Sequence, residues 1–351
     1  MRKFIQNLFA FASILGIFSC VDEINLSLEE SNQAVVIDAW IGNNSLETYV
    51  KIYRTAPYVS GVLNPSYLSV PVRSVLLEER EGGNMPFRQV GVNLFRPQTS
   101  FTPIPGRSYR LLLETLEGEV FESTWETMPP LVEIEDIKAQ AFQKQVMTTV
   151  GQTQFFQVKT FADVQAQISD PGLGELGYLI ESSGITELYT DANVDNCACT
   201  CYERVPNIFA GMNLTFNQPF QRRSFGLSLG EIPLSSLGRF FISTKVKVVN
   251  KSSYDYLKQV DQQQRNSGSI FDPAPFRIKG NIKKRGAENQ QVLGGFFLYQ
   301  ESSFEKLLYR IQIRSESLSL NHSIDALPFV NGSCTEFYIN ASPIVPPAFR
   351  P

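Results

Sequence analysis

The chain has 351 residues, a formal net charge of −4 and 43% hydrophobic residues. That length can bury sizeable cores and predicts two domains. The mildly acidic balance excludes the electrostatic footprint of a nucleic-acid binder, and the 26 Phe and 13 Tyr, with many β-branched runs, point to strands.

The first predicted element is a leader. Met1-Arg2-Lys3 is basic, Leu8 to Phe18 is apolar, and Gly16-Ile17-Phe18-Ser19 leads into Cys20. An apolar run of that length is too short for a membrane-spanning helix, which takes about 20 residues. It has the layout of a secretory signal, residues 1–19, and the cysteine after a small residue has the layout of a bacterial lipobox. The expectation is that Cys20 becomes the mature N-terminus and carries acyl chains, so the protein is anchored to a lipid bilayer without spanning it. Residues 20–31 then form a lipidated acidic tether.

Residues 32–128 are expected to form an immunoglobulin-like β-sandwich. Ala34–Ile41 precedes the turn cluster Gly42-Asn43-Asn44-Ser45, and Thr48–Tyr53 alternates with period two. Val72–Glu78 is a further strand. Tyr109–Thr115 and Glu119–Thr124 flank Leu116-Glu117-Gly118 as a hairpin. Trp40 is placed in the sandwich core. Pro129-Pro130 cannot continue a central strand, and the domain boundary is set there.

Residues 131–342 read as a larger β domain with one short helix. Strand candidates are Gln154–Phe161, Gly177–Glu181, Phe240–Val249, Phe276–Ile282, Gly294–Tyr299 and Tyr309–Arg314. The helix is expected from a Ser252 or Ser253 cap through to Asn266, where Gly268 and Asp272-Pro273-Ala274-Pro275 end it. The proline-rich tail, residues 343–351, is expected to be extended. Arg222-Arg223 and Lys283-Lys284-Arg285 read as solvated loops.

Cys197, Cys199, Cys201 and Cys334 are disulfide candidates, because an exported chain meets an oxidising compartment. Four thiols allow three connectivities. The working expectation is that Cys334 staples the C-terminal segment to the cluster. Closing a loop of that length stabilises by roughly 4–5 kcal/mol in the chain-entropy model. The C-x-C-x-C spacing departs from zinc sites, and His322 is the chain's single histidine.

Three strings imitate chemistry. Gly172-Leu173-Gly174-Glu175-Leu176-Gly177 fits G-x-G-x-x-G, but Asp170-Pro171 precedes it and a strand-like run follows. Gly226-Leu227-Ser228-Leu229-Gly230 fits a nucleophile elbow, but Glu231-Ile232-Pro233 continues a helix poorly and His322 would have to be the base. Asp191, Asn193 and Asp195 offer alternating oxygen ligands for a weak calcium site, although Tyr202 stands where a bidentate Glu is wanted. The preferred readings are loop glycines, an ordinary serine and a polar loop. No catalytic residue, metal or cofactor is expected.

Lipobox Cys20, TYVKIYRTAPY (48–58), YRLLLETLEGEVFESTWETMP (109–129), CACTCY (197–202), SYDYLKQVDQQQRNSGSIFDPAPFRIKGNI (253–282) and VLGGFF (292–297) together resemble the Bacteroidota outer-membrane lipoproteins grouped as domain of unknown function 4249. The resemblance covers nearly the whole mature chain. Val21-Asp22-Glu23 also resembles the surface-export signal of such lipoproteins, which implies an outer-membrane protein facing the cell surface. The family carries no defined catalytic residues. Its members resemble accessory lipoproteins of TonB-dependent transporters, and this implies a non-catalytic partner of an outer-membrane barrel that aids substrate capture or gating. Tyr254, Tyr256, Phe271 and Phe276 are the candidate ligand or partner surface. The alternative is a surface adhesin or structural β-sandwich module with no transporter partner.

Overall fold

The computed structural model describes residues 33–55, 67–172, 174–190, 198–209, 211–217, 224–265, 278–287, 289–290, 292–319 and 332–350. Its first strands are β1 (Val35–Gly42), β2 (Tyr49–Arg54), β3 (Leu68–Ser69), β4 (Val72–Glu79), β5 (Asn84–Gly91), β6 (Leu94–Pro97), β7 (Ser108–Thr115), β8 (Val120–Ser123) and β9 (Glu126–Thr127). They follow the alternation of the sequence. In β7, Tyr109, Leu111, Leu113 and Thr115 are buried and the residues between them only partly so. The hairpin turn into β8 has Gly118 in the left-handed region, φ 82°.

Trp40 departs from expectation. Side chains two apart on a strand share a face. In β1 the core takes Ile37, Ala39 and Ile41, so Trp40 goes with Asp38 to the opposite face and is half-buried there. Its indole N–H donates to Asp38 Oδ1 at 2.9 Å.

The chain continues through β10 (Glu133–Val150), β11 (Thr153–Ser169), β12 (Leu176–Tyr189), β13 (Thr200–Val205), β14 (Asn213–Asn217), β15 (Ser224–Pro233) and β16 (Arg239–Asn250). Helix α1 (Lys251–Arg265) follows, then β17 (Ile282–Lys284), β18 (Val292–Tyr309), α2 (Arg310–Ser319), α3 (Cys334–Phe337) and β19 (Ala341–Ser342). The fold is mostly β.

Two helical details differ from the sequence reading. Helix α1 begins at Lys251, so Ser253 lies buried inside its first turn, while the Ser252 hydroxyl donates to Glu126. The expected strand Tyr309–Arg314 stops at Tyr309 and turns into α2. Arg310 and Ile313, one helical turn apart, are both buried, and the Arg310 guanidinium lies over the Phe240 ring.

One large sheet runs in the order β17-β8-β7-β4-β5-β6-β2-β1-β18-β16-β12-β13-β19. Strand β5 turns the corner: Pro86 pairs with Leu76 of β4, and Phe87 pairs with Pro97 of β6. Strands β1 and β18 pair in parallel from Val35↔Val292 to Gly42↔Tyr299. A second sheet consists of β10, β11 and β15.

Two cores result. In the first, Ile37, Ile52, Leu77, Leu111 and Phe121 meet Ile282, Val292, Phe296 and Leu298 from the far end of the chain. In the second, Ile137, Val164 and Ile168 of the three-stranded sheet face Tyr178, Ile242 and Val246. The cores change over at Pro129-Pro130, with Met128 in one and Val132 in the other. The large sheet nevertheless crosses that point, and Ala34–Thr55 with Tyr67–Pro351 forms one compact unit. The other unit, Met1–Gln33 with Ala56–Ser66, has Gln33 alone among the described residues.

Two glycines and an asparagine hold β18 in place. Gly294 has φ 85°, and a Cβ there would strike the Ile37 carbonyl of β1. A Cβ on Gly280 would strike the Gly294 carbonyl. Asn281 then acts as a strand edge: its Nδ2 donates to the Phe296 carbonyl and its Oδ1 accepts from the Phe296 N–H, both at 2.8 Å.

Cys201 and Cys334 are disulfide-bonded, with Cα atoms 6.0 Å apart and a sequence separation of 133. Cys199 is disulfide-bonded as well, whereas Cys197 lies outside the described residues. The tail follows the staple onto the sheet. Strand β19 pairs with β13, and Phe349 in the 3₁₀ turn Pro347–Phe349 is buried against Tyr202, ring centroids 4.9 Å apart.

Two outcomes follow from this packing. A fragment of residues 32–128 lacks Ile282, Val292, Phe296 and Leu298, each contributing about 1.5–3 kcal/mol when buried. It should give no cooperative thermal transition by circular dichroism, whereas the intact chain should. Replacing Cys334 with Ser removes a cross-link worth about 5 kcal/mol in the chain-entropy model. Denaturant unfolding should show a loss of several kcal/mol, and a loss under 1 kcal/mol would contradict a stapling role.

Candidate functional site

Strands β6, β2, β1, β18, β16 and β12 lie side by side, and their outer face carries the most concentrated chemistry among the described residues. Cross-strand registry sets it out. Tyr49 of β2 faces Trp40 of β1, and Trp40 faces Phe297 of β18. Farther along, Lys247 of β16 is flanked by Glu301 of β18 and Leu179 of β12, and Lys245 faces Glu181 of β12. Opposite charges directly across strands attract.

The turn after β1 closes over this face. Asn43 Nδ2 donates to the Glu301 carbonyl at 2.9 Å, and Asn43 Oδ1 accepts from the Glu301 N–H at 2.7 Å. Asn44 Nδ2 donates to Glu301 Oε1 at 2.9 Å. Glycine is required at position 42, because any Cβ there would enter the Tyr299 ring. The turn so placed brings Glu47 onto Lys245 and Lys247, the latter at 2.8 Å. Lys247 also reaches Glu181 at 2.8 Å and approaches Glu301 at 3.9 Å.

Between the turn and the sheet lies a cavity of about 480 Å³ lined by Trp40, Tyr49, Lys51, Arg96, Lys247 and Tyr299, among others. A neighbouring cavity of about 600 Å³ shares Leu179 and Glu181 with it and reaches Lys245 and Asn213. Together they form a groove. The aromatic wall is held rigidly. Trp40 and Tyr49 both donate to the Asp38 carboxylate, at 2.9 and 3.1 Å, and Trp40 packs on Phe297 at 4.8 Å between ring centroids.

The electrostatics follow from burial opposed by pairing. Burial disfavours the Glu47 anion, yet hydrogen bonds and charge from Lys245 and Lys247 outweigh it and hold the carboxyl at about 2. Burial, and then the Glu47 charge, push Glu301 up. Burial likewise raises Asp38 despite its two donors. Lys247 would lose its proton more readily on burial alone, but its bonds to Glu181 and Glu47 move it above the ordinary lysine value.

The candidates from sequence fall as follows. Tyr254 packs on Phe216, centroids 5.0 Å apart, and its position leaves no room for a Cβ on Gly177, so it docks α1 onto β12. Tyr256 packs on Phe297, the ring that Trp40 also contacts, with centroids 5.3 Å apart. Phe271, Phe276, Cys20, His322, Asp191, Asn193 and Asp195 lie outside the described residues. In the glycine string, Gly172 and Gly174 have φ of 73° and 128°, and the Gly172 N–H donates to the buried Asp170. Ser228 sits within strand β15, where the register shifts between Gly230 and Ser228, and its hydroxyl meets Asp163 at 3.5 Å. That geometry is a bulged strand and lacks the strand–turn–helix of a nucleophile elbow.

Sequence reasoning passed over Glu47, Glu181, Lys245, Lys247 and Tyr299. A signal for two of them exists: Lys245 and Lys247 alternate with valines in STKVKVV, so two lysines share one face of an otherwise apolar strand.

A family model described as "Domain of unknown function (DUF4249)" matches residues 21–305. The chain belongs to this family. No curated protein matches the sequence. Several groove residues of this DUF4249 member, Trp40, Tyr49, Lys247 and Tyr299 among them, fall within the matched span.

The lowered Glu47 value carries a pH signature. A carboxylate whose folded pKa is depressed adds stability above its unfolded value and loses it as pH falls toward the folded one. The window is therefore about pH 4.5 down to 2. Glu301 and Asp38 are raised and act in the opposite sense, easing as they protonate. Glu47→Gln should flatten the acid-side loss by on the order of 1 kcal/mol after solvent screening. Urea midpoints compared at pH 7 and pH 3 read this directly.

Proposed function

We propose that this protein is a non-catalytic, lipid-anchored outer-membrane lipoprotein that captures a solute in the sheet-face groove beside a TonB-dependent transporter. Cys20 carries this reading, standing directly after Gly16-Ile17-Phe18-Ser19 at the end of a basic and then apolar leader. The family match begins at residue 21, next to that cysteine. The acidic Asp22-Glu23 supports a surface-facing orientation. Binding in preference to catalysis is favoured by the groove's lysines and glutamates, which are committed to one another in ion pairs.

The mechanism in this reading is proximity. Acyl chains confine the body to the membrane plane, and a groove held there has a high effective concentration at any barrel in the same plane. A second reading, a surface adhesin without a transporter, is favoured by one feature. The far end of the β10–β11 hairpin exposes Met147, Phe155 and Phe156, and Met147 and Phe156 pair across the strands.

The test is fractionation and purification of a tagged protein in its native host. Wild type should pellet with outer membranes, and Cys20→Ser should move to the soluble fraction. Gentle solubilisation should recover a stoichiometric outer-membrane barrel. A Cys20→Ser variant that still pellets would refute the anchor. Recovery of the lipidated protein without a barrel would leave the adhesin reading in its place.

A further inference from the structure

We propose that the groove binds an organic anion, an acidic head group carried on a flat apolar body. The inference rests on the capture reading and adds the charge of what is captured. It comes from which charges around the cavity beside Trp40 are already met and which are open.

The inner charges are met. Lys247 lies among Glu47, Glu181 and Glu301, and Lys245 pairs with Glu47. Asp38 faces Lys51 across β1 and β2, but its two oxygens accept from Trp40 and Tyr49, and burial raises its carboxyl. Around the cavity itself the cations Lys51, Arg96 and Lys247 stand against the carboxylates Glu47 and Glu181, so positive charge is in excess.

The excess sits on the open side. Lys51 is exposed and Arg96 is partly so. Arg96 Nη1 donates to the Leu46 and Ser45 carbonyls, and the Lys51 ammonium rests over the Tyr49 ring, 4.7 Å from its centroid. Neither side chain has an ion-pair partner among the described residues. Arg96 Nε and Nη2 and the Lys51 ammonium thus keep donors for an acceptor from outside. Strand register sets the two side by side. Lys51 of β2 faces Leu94 of β6, and Arg96 stands two residues beyond Leu94 on the same face. Such diagonal neighbours lie about 7–8 Å apart, within reach of long side chains. One carboxylate or phosphate group can meet both, the guanidinium offering it a forked contact.

Other head groups fit less well. An anion placed here breaks no ion pair. A cation would be repelled by Lys51 and Arg96, and could gain a carboxylate only by taking Glu47 or Glu181 from the buried Lys247, which is costly. A neutral head accepts weaker hydrogen bonds and leaves both positive charges unmet.

The rest of the wall asks for an apolar body. Leu46, on the turn, is 79% exposed, and Leu94, Leu179, Trp40 and Tyr49 line the cavity with it. Trp40 and Tyr49 have their polar edges tied to Asp38, so their rings are oriented before a ligand arrives. The volume of about 480 Å³ is that of an ordinary small-molecule pocket.

The experiment is calorimetric titration of the full-length protein in a nonionic detergent, with detergent-matched blanks. The acidic probes are N-acetyl-tryptophan and phenyl phosphate. N-acetyl-tryptophanamide is the neutral twin and tryptophanamide the cationic one. At least one acid should bind, and raising the salt concentration should weaken it. The neutral and cationic twins should bind about tenfold more weakly or not at all. Lys51→Gln and Arg96→Gln should each weaken the acid severalfold, leave the neutral twin unaffected and leave the melting temperature unchanged. That contrast separates a charge contact from a structural role. A twin that binds more tightly than the acids, and is lost in Trp40→Ala, would overturn the anion class while capture stands. Acid binding unaffected by Lys51→Gln and Arg96→Gln would place the site elsewhere and overturn the inference. Failure of all four probes would overturn it as well, whereas the anchor and the barrel are read independently by fractionation.

Discussion

The parallel pairing of β1 with β18 is the constraint on which the rest of the fold depends. A parallel pair cannot be made by a hairpin, so its strands must come from distant parts of the chain. Here they are residues 35–42 and 292–299. Strand β18 then continues to Tyr309 and pairs with β16 along the way. One strand thus gives Val292, Phe296 and Leu298 to the first core and Leu308 to the second. The backbone contact between Gly294 and Ile37, braced by Gly280 and Asn281, gives a physical reason for the K-G-N and V-L-G-G-F-F segments. A side chain at Gly294 would push β18 off β1, and one at Gly280 would push the segment that carries Asn281 off β18.

The same pairing makes the groove. With β1 beside β18, strands of both halves share one outer face, and Trp40, Tyr299 and Lys247 come together although far apart in sequence. Burying Lys247 is unfavourable unless its charge is met. Glu47 meets it only because Asn43 ties the turn to the Glu301 backbone. The turn, the glycine beneath Tyr299 and the lysine pair are therefore one device.

Local signals were legible in the sequence. The β7–β8 hairpin followed from alternation and a glycine turn, and the left-handed Gly172 and Gly174 fitted loop glycines. The link of Cys334 to the C-x-C-x-C cluster is also present, at Cys201. Signals that depend on partners were not legible. Strand β10 is rich in Gln, Lys and Ala, residues with weak strand preference, and it is a strand because β11 pairs with it throughout. An aromatic residue in a strand is expected in the core, but the pleat, set by Ile37, Ala39 and Ile41, turns Trp40 outward. The charged floor of the groove was invisible for the same reason: Glu47 and Lys245 are neighbours only through the register of intervening strands.

A groove laid across a seam has an energetic consequence that one inside a single core lacks. Leu94 and Arg96 come from the strands over the first core, and Leu179 and Glu181 from those over the second. A ligand touching all four binds only when β1, β18, β16 and β12 are in register. By linkage, its binding free energy adds to the stability of that register. The two cores themselves need not rearrange, since their apolar faces lie on the other side of the sheet. The sheet supplies the floor, the turn that carries Glu47 supplies the wall, and the parallel strand pair holds the two in one geometry.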